Sequence, residues 1–259
     1  MADENENALE VSGALDTIRR IRARTPARIL AGRTGAAYLT RTQLDLREAH
    51  AAARDAVNTE LNVEDVLGSA FVKRWGLFEV CSRAVSKEEF LLRPDLGRRF
   101  DEPSRAELTA RGSAGSEVQF AIGDGLSVSA VATQIPSLLP LLMEGARDRG
   151  WKIGQLFVIR HCRVGILNEI GELLNPRVAV LLIGERPGLA TADSLSAYFA
   201  YQPRSSHTDA NRNLISNIHS RGLNTAQAAD RILNFVEQMM AAGTSGYLLH
   251  EGQPLLENR

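Results

Sequence analysis

The sequence predicts an α/β fold: a Rossmann-like, mostly parallel sheet with helices on both faces, preceded by a helical N-terminal portion. Three observations carry this prediction. Runs such as "VAVLLIG" (178–184) and "GQLFVIRHCRV" (154–164) are apolar almost throughout rather than alternating, as strands covered on both faces are. Segments of helical periodicity separate these runs, which is the βαβ pattern of a parallel sheet. The first third of the chain, by contrast, is charged and rich in strong helix formers.

Taken in order, "ALDTIRRIRARTPARI" sets Leu15, Ile18 and Ile21 on one helical face, with arginines around them. "RTQLDLREAHAAARDAV" continues in helical style, with Leu44, Ala51 and Val57 among good helix formers. "SAFVKRWGLFEVCSRA" and "KEEFLLRPDLGRRF" mix aromatic residues with charge and end at turn signals such as Arg-Pro-Asp. The stretch "DEPSRAELTARGSAGSE" is the best boundary, so the expected division is 1–112, helical, and 113–259, Rossmann-like. From Val118 the texture changes. "VQFAIGDGLS" is an apolar run and a glycine turn, with Ser127 placed to cap the next helix, which is expected to break near Pro136. "GILNEIGELLN" reads as a short amphipathic helix, "SAYFAYQ" as a fourth strand and "NTAQAADRILNFVEQMMAAG" as a long closing helix. "HTDANRNLISNIHSRG" reads as a polar loop.

Composition excludes several function classes. The chain has 259 residues, and its 30 Lys plus Arg nearly balance 31 Asp plus Glu, so no global field recruits nucleic acid or an anionic membrane. No apolar run reaches the roughly 20 residues of a membrane span. The N-terminal "MADENENALE" is acidic and lacks the apolar core of a secretory signal. Cys81 and Cys162 lack the spacing of a zinc site or a disulfide framework, so a reduced, cytoplasmic compartment is expected.

In open α/β sheets, ligands lie beyond the carboxyl ends of the strands. Three loops qualify: Gly123–Ser127, His161–Val164 and Gly184–Gly188, and all three are expected to line one rim. "GDGLS" is either a backbone cradle for a polar ligand or a tight turn with a serine cap. It is not GxGxxG, so the dinucleotide fingerprint is absent. "GERPG" holds a carboxylate and a guanidinium between glycines, either for a ligand or as a local surface ion pair. His161 and Cys162 are adjacent, which points them apart in a strand, so a structural cysteine is expected rather than a nucleophile. "RPDLGRRF" is a basic patch, either solvated or a docking surface for a negatively charged partner. His207, His219 and His250 lack metal-ligand spacing. No complete catalytic set emerges, which favours a binding chain or one subunit of an enzyme.

The motif "LLIGERPGLATADSLSAYFAYQPR", followed by "TDANRNLISNIHSRGL", closely resembles the small (light) subunit family of ethanolamine ammonia-lyase. The resemblance extends, in order, through "GRTGAAYLTRTQLDLREAHAAARDAV", "LLRPDLGRRF", "IGDGLSVSAV" and "VIRHCRVGILNEIGELL", covering about Arg33 to Gly246. It implies an adenosylcobalamin-dependent lyase that converts ethanolamine to acetaldehyde and ammonia. A large TIM-barrel subunit holds the substrate and the radical chemistry. The small subunit packs on it with cobalamin between them, six copies of each chain forming the assembly. The resemblance assigns residues 1–112 to docking on the large subunit and 113–259 to cobalamin contact. Carried over, the family's cobalamin contacts fall at Val164, Glu185 and Leu214, with Asp124, Gly125, Arg186 and Ser216 as weaker positional candidates. At Leu214 relatives can carry cysteine, so a thiol-specific role is not transferred. No catalytic residue and no protein-held metal are expected. The base-on cobalamin of the family suits the absence of DxHxxG. The address implied is cytoplasmic, with a bacterial microcompartment as the alternative and the short N-terminus as a departure from longer relatives. Two rivals stay open: a cobalamin carrier without a lyase partner, and a Rossmann-type nucleotide-binding oxidoreductase.

Overall fold

The computed structural model describes residues 15–25 and 29–251; the acidic N-terminus lies outside the described residues. Two compact units divide the chain, one ending at Arg54 and including Gly188–Thr191, the other beginning at Asp55. In the first, residues 15–23 are helical, as Leu15, Ile18 and Ile21 predict. A two-residue hairpin follows, with Arg33 paired to Tyr38 and Thr34 to Ala37, and Gly35 (φ +61°) supplies its turn. Helix α1 (Thr40–Asn58) then runs out of this unit into the next.

The second unit carries a six-stranded sheet. Its strands are β1 (Phe78–Cys81), β2 (Val118–Gly123), β3 (Phe157–Arg160), β4 (Val178–Gly184), β5 (Leu195–Tyr201) and β6 (Asn213–Ile218). They lie in the order β1-β3-β2-β4-β5-β6. The first four are parallel, and β5 and β6 extend the sheet antiparallel. The α/β expectation, with a mostly parallel sheet, therefore holds.

Three elements differ from the sequence reading. The segment expected to be helical at 69–84 supplies the edge strand β1, after helix α3 (Ser69–Trp75) stops at left-handed Gly76. The expected loop 207–222 contains β6, where only Ile215 and Ile218 are fully buried. A strand with two buried side chains has too little apolar pattern to stand out from a polar sequence. Helix α6 (Val128–Asp148) does not break at Pro136. Pro136 is exposed and Pro140 half-buried, so both prolines lie away from the buried face of the helix. Buried Ile135, Leu138, Leu139 and Leu142 hold the opposite face in place.

Strand β4 shows why the sheet needs cover on both sides. Val178, Val180 and Leu182 belong to one core layer, and Ala179, Leu181 and Ile183 to the other. The first layer is closed by α6 and α8 (Thr225–Ala242), with Phe199 set edge-on to Phe235 at 5.3 Å. The second is closed by α5 (Glu102–Arg111) and α7 (Leu167–Leu174). Adjacent strands β2 and β3 thus lead to helices on opposite faces, which opens a crevice between their carboxyl ends.

Candidate functional site

The loops at this crevice are fixed from below by Asp124, which is fully buried. Its Oδ2 accepts from the His161 N–H at 2.9 Å and its Oδ1 from the Cys162 N–H at 2.8 Å. Lys87 Nζ stands 3.6 Å from Oδ2 and donates to the Gly125 carbonyl at 3.4 Å. Burial raises the Asp124 carboxyl above its ordinary range, against the opposing pull of Lys87 and the two N–H groups. His161 is left-handed (φ +55°), so it sits past the end of β3 rather than within it. Its ring stacks on Phe90, with Nδ1 2.9 Å from the Ala84 carbonyl and Nε2 3.0 Å from Glu60. The Cys162 thiol is fully buried, and desolvation raises its pKa well above the ordinary thiol value.

"GDGLS" forms a turn and a cap. Ser127 Oγ accepts from the Ala130 N–H and donates to the Ala192 carbonyl at 2.5 Å, so the chain itself covers this end of α6. Gly125 is required here: at φ +55°, a Cβ would come within 2.2 Å of the Gly184 carbonyl oxygen. That close approach brings the loop after β2 against the loop after β4.

Glu185 stands on this second loop. A bulge between β5 and β6 sets Ser216 and Asn217 opposite the single residue Ser196. Asn217 is left-handed (φ +59°), and its N–H donates to Glu185 Oε1 at 2.8 Å instead of to the ladder. Ser196 Oγ donates to the same oxygen at 2.6 Å. Oε2 has no partner among the described residues. Nor does Glu185 pair with Arg186, so the local ion pair considered for "GERPG" does not form among the described residues.

Above these loops lies a groove in two connected lobes. The smaller, about 370 Å³, contains Glu185, Arg186, Gly125, Ser196 and Ser216. The larger, about 790 Å³, contains Arg98, Arg99, Asn168, His207 and Arg212. Arg163, Val164, Tyr198 and Leu214 line both. Val164, Glu185 and Leu214 are therefore brought to one groove from three separated stretches of chain. Leu214 is 46% exposed and stands opposite Tyr198 across the β5–β6 ladder. Of the weaker candidates, Gly125, Arg186 and Ser216 line the groove, while Asp124 lies beneath it. Sequence reasoning missed Tyr198 and Arg212, whereas Arg163 belongs to the His161–Val164 loop already expected at the rim. Tyr198 reaches the groove through the pairing that sets it opposite Leu214, which no local motif announces. Arg212 had no signal beyond its charge.

Among the described residues no group of three or more His, Cys, Asp or Glu side chains could hold a metal ion. No described helix is long and apolar enough to cross a membrane.

The family model described as ethanolamine ammonia-lyase light chain (EutC) matches residues 15–250. The chain belongs to this family. Among similar relatives is an ethanolamine ammonia-lyase small subunit from Ralstonia nicotianae, 38% identical over 99% of this chain and 97% of the relative. The corresponding subunit from Rhodopseudomonas palustris is 38% identical, over 93% and 92% of the two chains. That from Fusobacterium nucleatum is 40% identical, over 88% of this chain and 75% of the relative.

Proposed function

We propose that this chain is the small subunit of an adenosylcobalamin-dependent ethanolamine ammonia-lyase, and that its groove holds cobalamin against the large subunit. The observation that carries the reading is the convergence of Val164, Glu185 and Leu214 on one groove at the carboxyl edge of the sheet. The groove's chemistry suits a corrinoid. Glu185 Oε2 is free to accept from the amide side chains that fringe a corrin ring, and Val164, Tyr198 and Leu214 offer apolar contact to the ring's edge. When bound, the cofactor supplies homolysis of its cobalt–carbon bond. The residues of this chain bind and orient it, and close one side of the site to water. The segment up to residue 112 docks on the large subunit, six copies of each chain form the complex, and the assembly works in the cytoplasm or a microcompartment. Cobalamin contact is not confined to 113–259 on this reading, since Arg98 and Arg99 line the larger lobe.

Reconstitution tests the proposal. The chain is mixed with the large subunit from the same organism, adenosylcobalamin and ethanolamine, and acetaldehyde is followed with each chain omitted in turn. Activity only with both chains is the expected result. Two folded chains that neither associate nor react, while this one still retains cobalamin, would favour the carrier instead.

A further inference from the structure

The larger lobe is lined by four arginines, Arg98, Arg99, Arg163 and Arg212, and by His207, against one carboxylate, Asp209. A solvated basic surface would leave these groups in water, but several are not. The Arg212 side chain is only 6% exposed. It pairs with Asp209 and donates to Asn168 Oδ1 at 2.8 Å, yet its Nε is buried without a hydrogen-bond partner. Arg163 Nε and His207 Nδ1 are buried and unpartnered in the same way. The Arg163 guanidinium lies 4.3 Å from the Phe90 ring centroid and donates one N–H to the Phe90 carbonyl at 3.3 Å. Arg98 lies across Gly165, where a Cβ would come within 2.9 Å of its Cγ, so that glycine lets the arginine stem lie flat at the lobe.

These cations also oppose one another. Burial lowers the pKa of Arg163 and of Arg212, and the nearby Arg98 charge lowers both further. His207 is lowered by burial first, then by Arg212 and Arg204. Repelling charges cost free energy, and an anion among them in the lobe relieves that cost; the Arg163 and Arg212 Nε groups, buried without acceptors, add to the cost at the same place. Guanidiniums supplied from several elements suit an oxyanion that is approached from more than one side, as a phosphate group is.

We infer that the larger lobe is a phosphate-group site, filled by the phosphodiester of the cofactor's nucleotide tail. The assignment to the tail rests on the cobalamin reading above; the phosphate site itself does not. With Glu185 in the smaller lobe and arginines in the larger, the groove then receives the corrin at one end and the tail at the other.

The test uses the full chain, alone and assembled with the large subunit, as wild type and as the Arg98→Gln/Arg99→Gln double variant. Both side chains are exposed, so folding is preserved. Affinities of the assembly are measured for adenosylcobalamin and for adenosylcobinamide, which lacks the phosphodiester and base. Thermal unfolding of the chain alone is measured in inorganic phosphate and in chloride at matched ionic strength. The expected result is a loss of roughly tenfold or more in cobalamin affinity, the equivalent of one charge-assisted hydrogen bond. Cobinamide affinity stays unchanged, and a phosphate-dependent rise in Tm is seen in wild type only. An equal loss for both corrinoids overturns the inference, as does the absence of any effect of phosphate or of the double variant. A phosphate response without a cobalamin effect keeps the site and overturns its assignment to the tail. If wild type shows that response but binds neither corrinoid, the cobalamin reading fails while the phosphate site survives.

Discussion

Two neighbouring regions at the same edge of the sheet handle buried polar groups in opposite ways. Beneath the groove, each Asp124 oxygen accepts a backbone N–H, and Lys87 balances the charge. In the larger lobe, Arg163, Arg212 and His207 each keep a buried nitrogen without a partner. Burial alone therefore does not tell structure from function. What separates the two regions is that hydrogen bonding is saturated where loops are fixed, while in the lobe unpartnered nitrogens coincide with crowded cations.

The largest expected effect breaks the saturated region. Asp124→Asn sets an amide NH2 against one of the two backbone donors and leaves Lys87 buried without its counter-charge. A loss of about 3 kcal/mol is expected in urea unfolding. A loss below a tenth of that would mean that the two regions do not differ as described. Gly125→Ala comes next, because it forces a Cβ toward the Gly184 carbonyl at positive φ. A cost of about 2 kcal/mol is expected, together with weaker cobalamin retention in the assembled enzyme as the loop bearing Glu185 is pushed away.

Glu185 stands between the regions, structural at Oε1 and open at Oε2. Glu185→Ala should cost only about 1 kcal/mol of stability by removing two hydrogen bonds. Its effect on cobalamin retention should be the larger one, and equilibrium dialysis of the assembled enzyme separates the two. Unchanged retention would remove Glu185 from the site.

The smallest effect concerns pH in the unsaturated region. The folded pKa of His207 lies below its ordinary value of 6.5. The unfolded chain therefore takes up this proton first, and the His207 contribution to stability is complete above the unfolded pKa and lost as pH falls through the folded one. Thermal melts of wild type and His207→Gln across that window should diverge slightly on the acid side. Parallel curves would show that the crowding of charge around His207 carries no energetic weight.

The layered core was legible in the sequence because β2, β3 and β4 are buried on both faces and carry near-continuous apolar runs. β1 and β6 were not, since edge strands bury few side chains and their patterns merge with those of helix and loop. The three-loop rim was legible from general α/β geometry, and Glu185 from its place at a strand exit. What holds Glu185 was not: the Asn217 bulge depends on a register between β5 and β6 that no local motif encodes. The arginines were visible as charge, but their gathering from the segments around residues 98, 163 and 212 is a product of topology.

The bulge at Asn217 also bears on the timing of recognition. With Oε1 held by two donors, the Glu185 rotamer is settled when the chain folds, so a ligand meeting Oε2 loses little further side-chain entropy. Arg98 and Arg99, exposed on their turn, must instead be immobilised at the moment of contact. A fixed anchor at one end and exposed cations at the other would let a long ligand engage in sequence, first the ordered carboxylate and then the arginines at its far end.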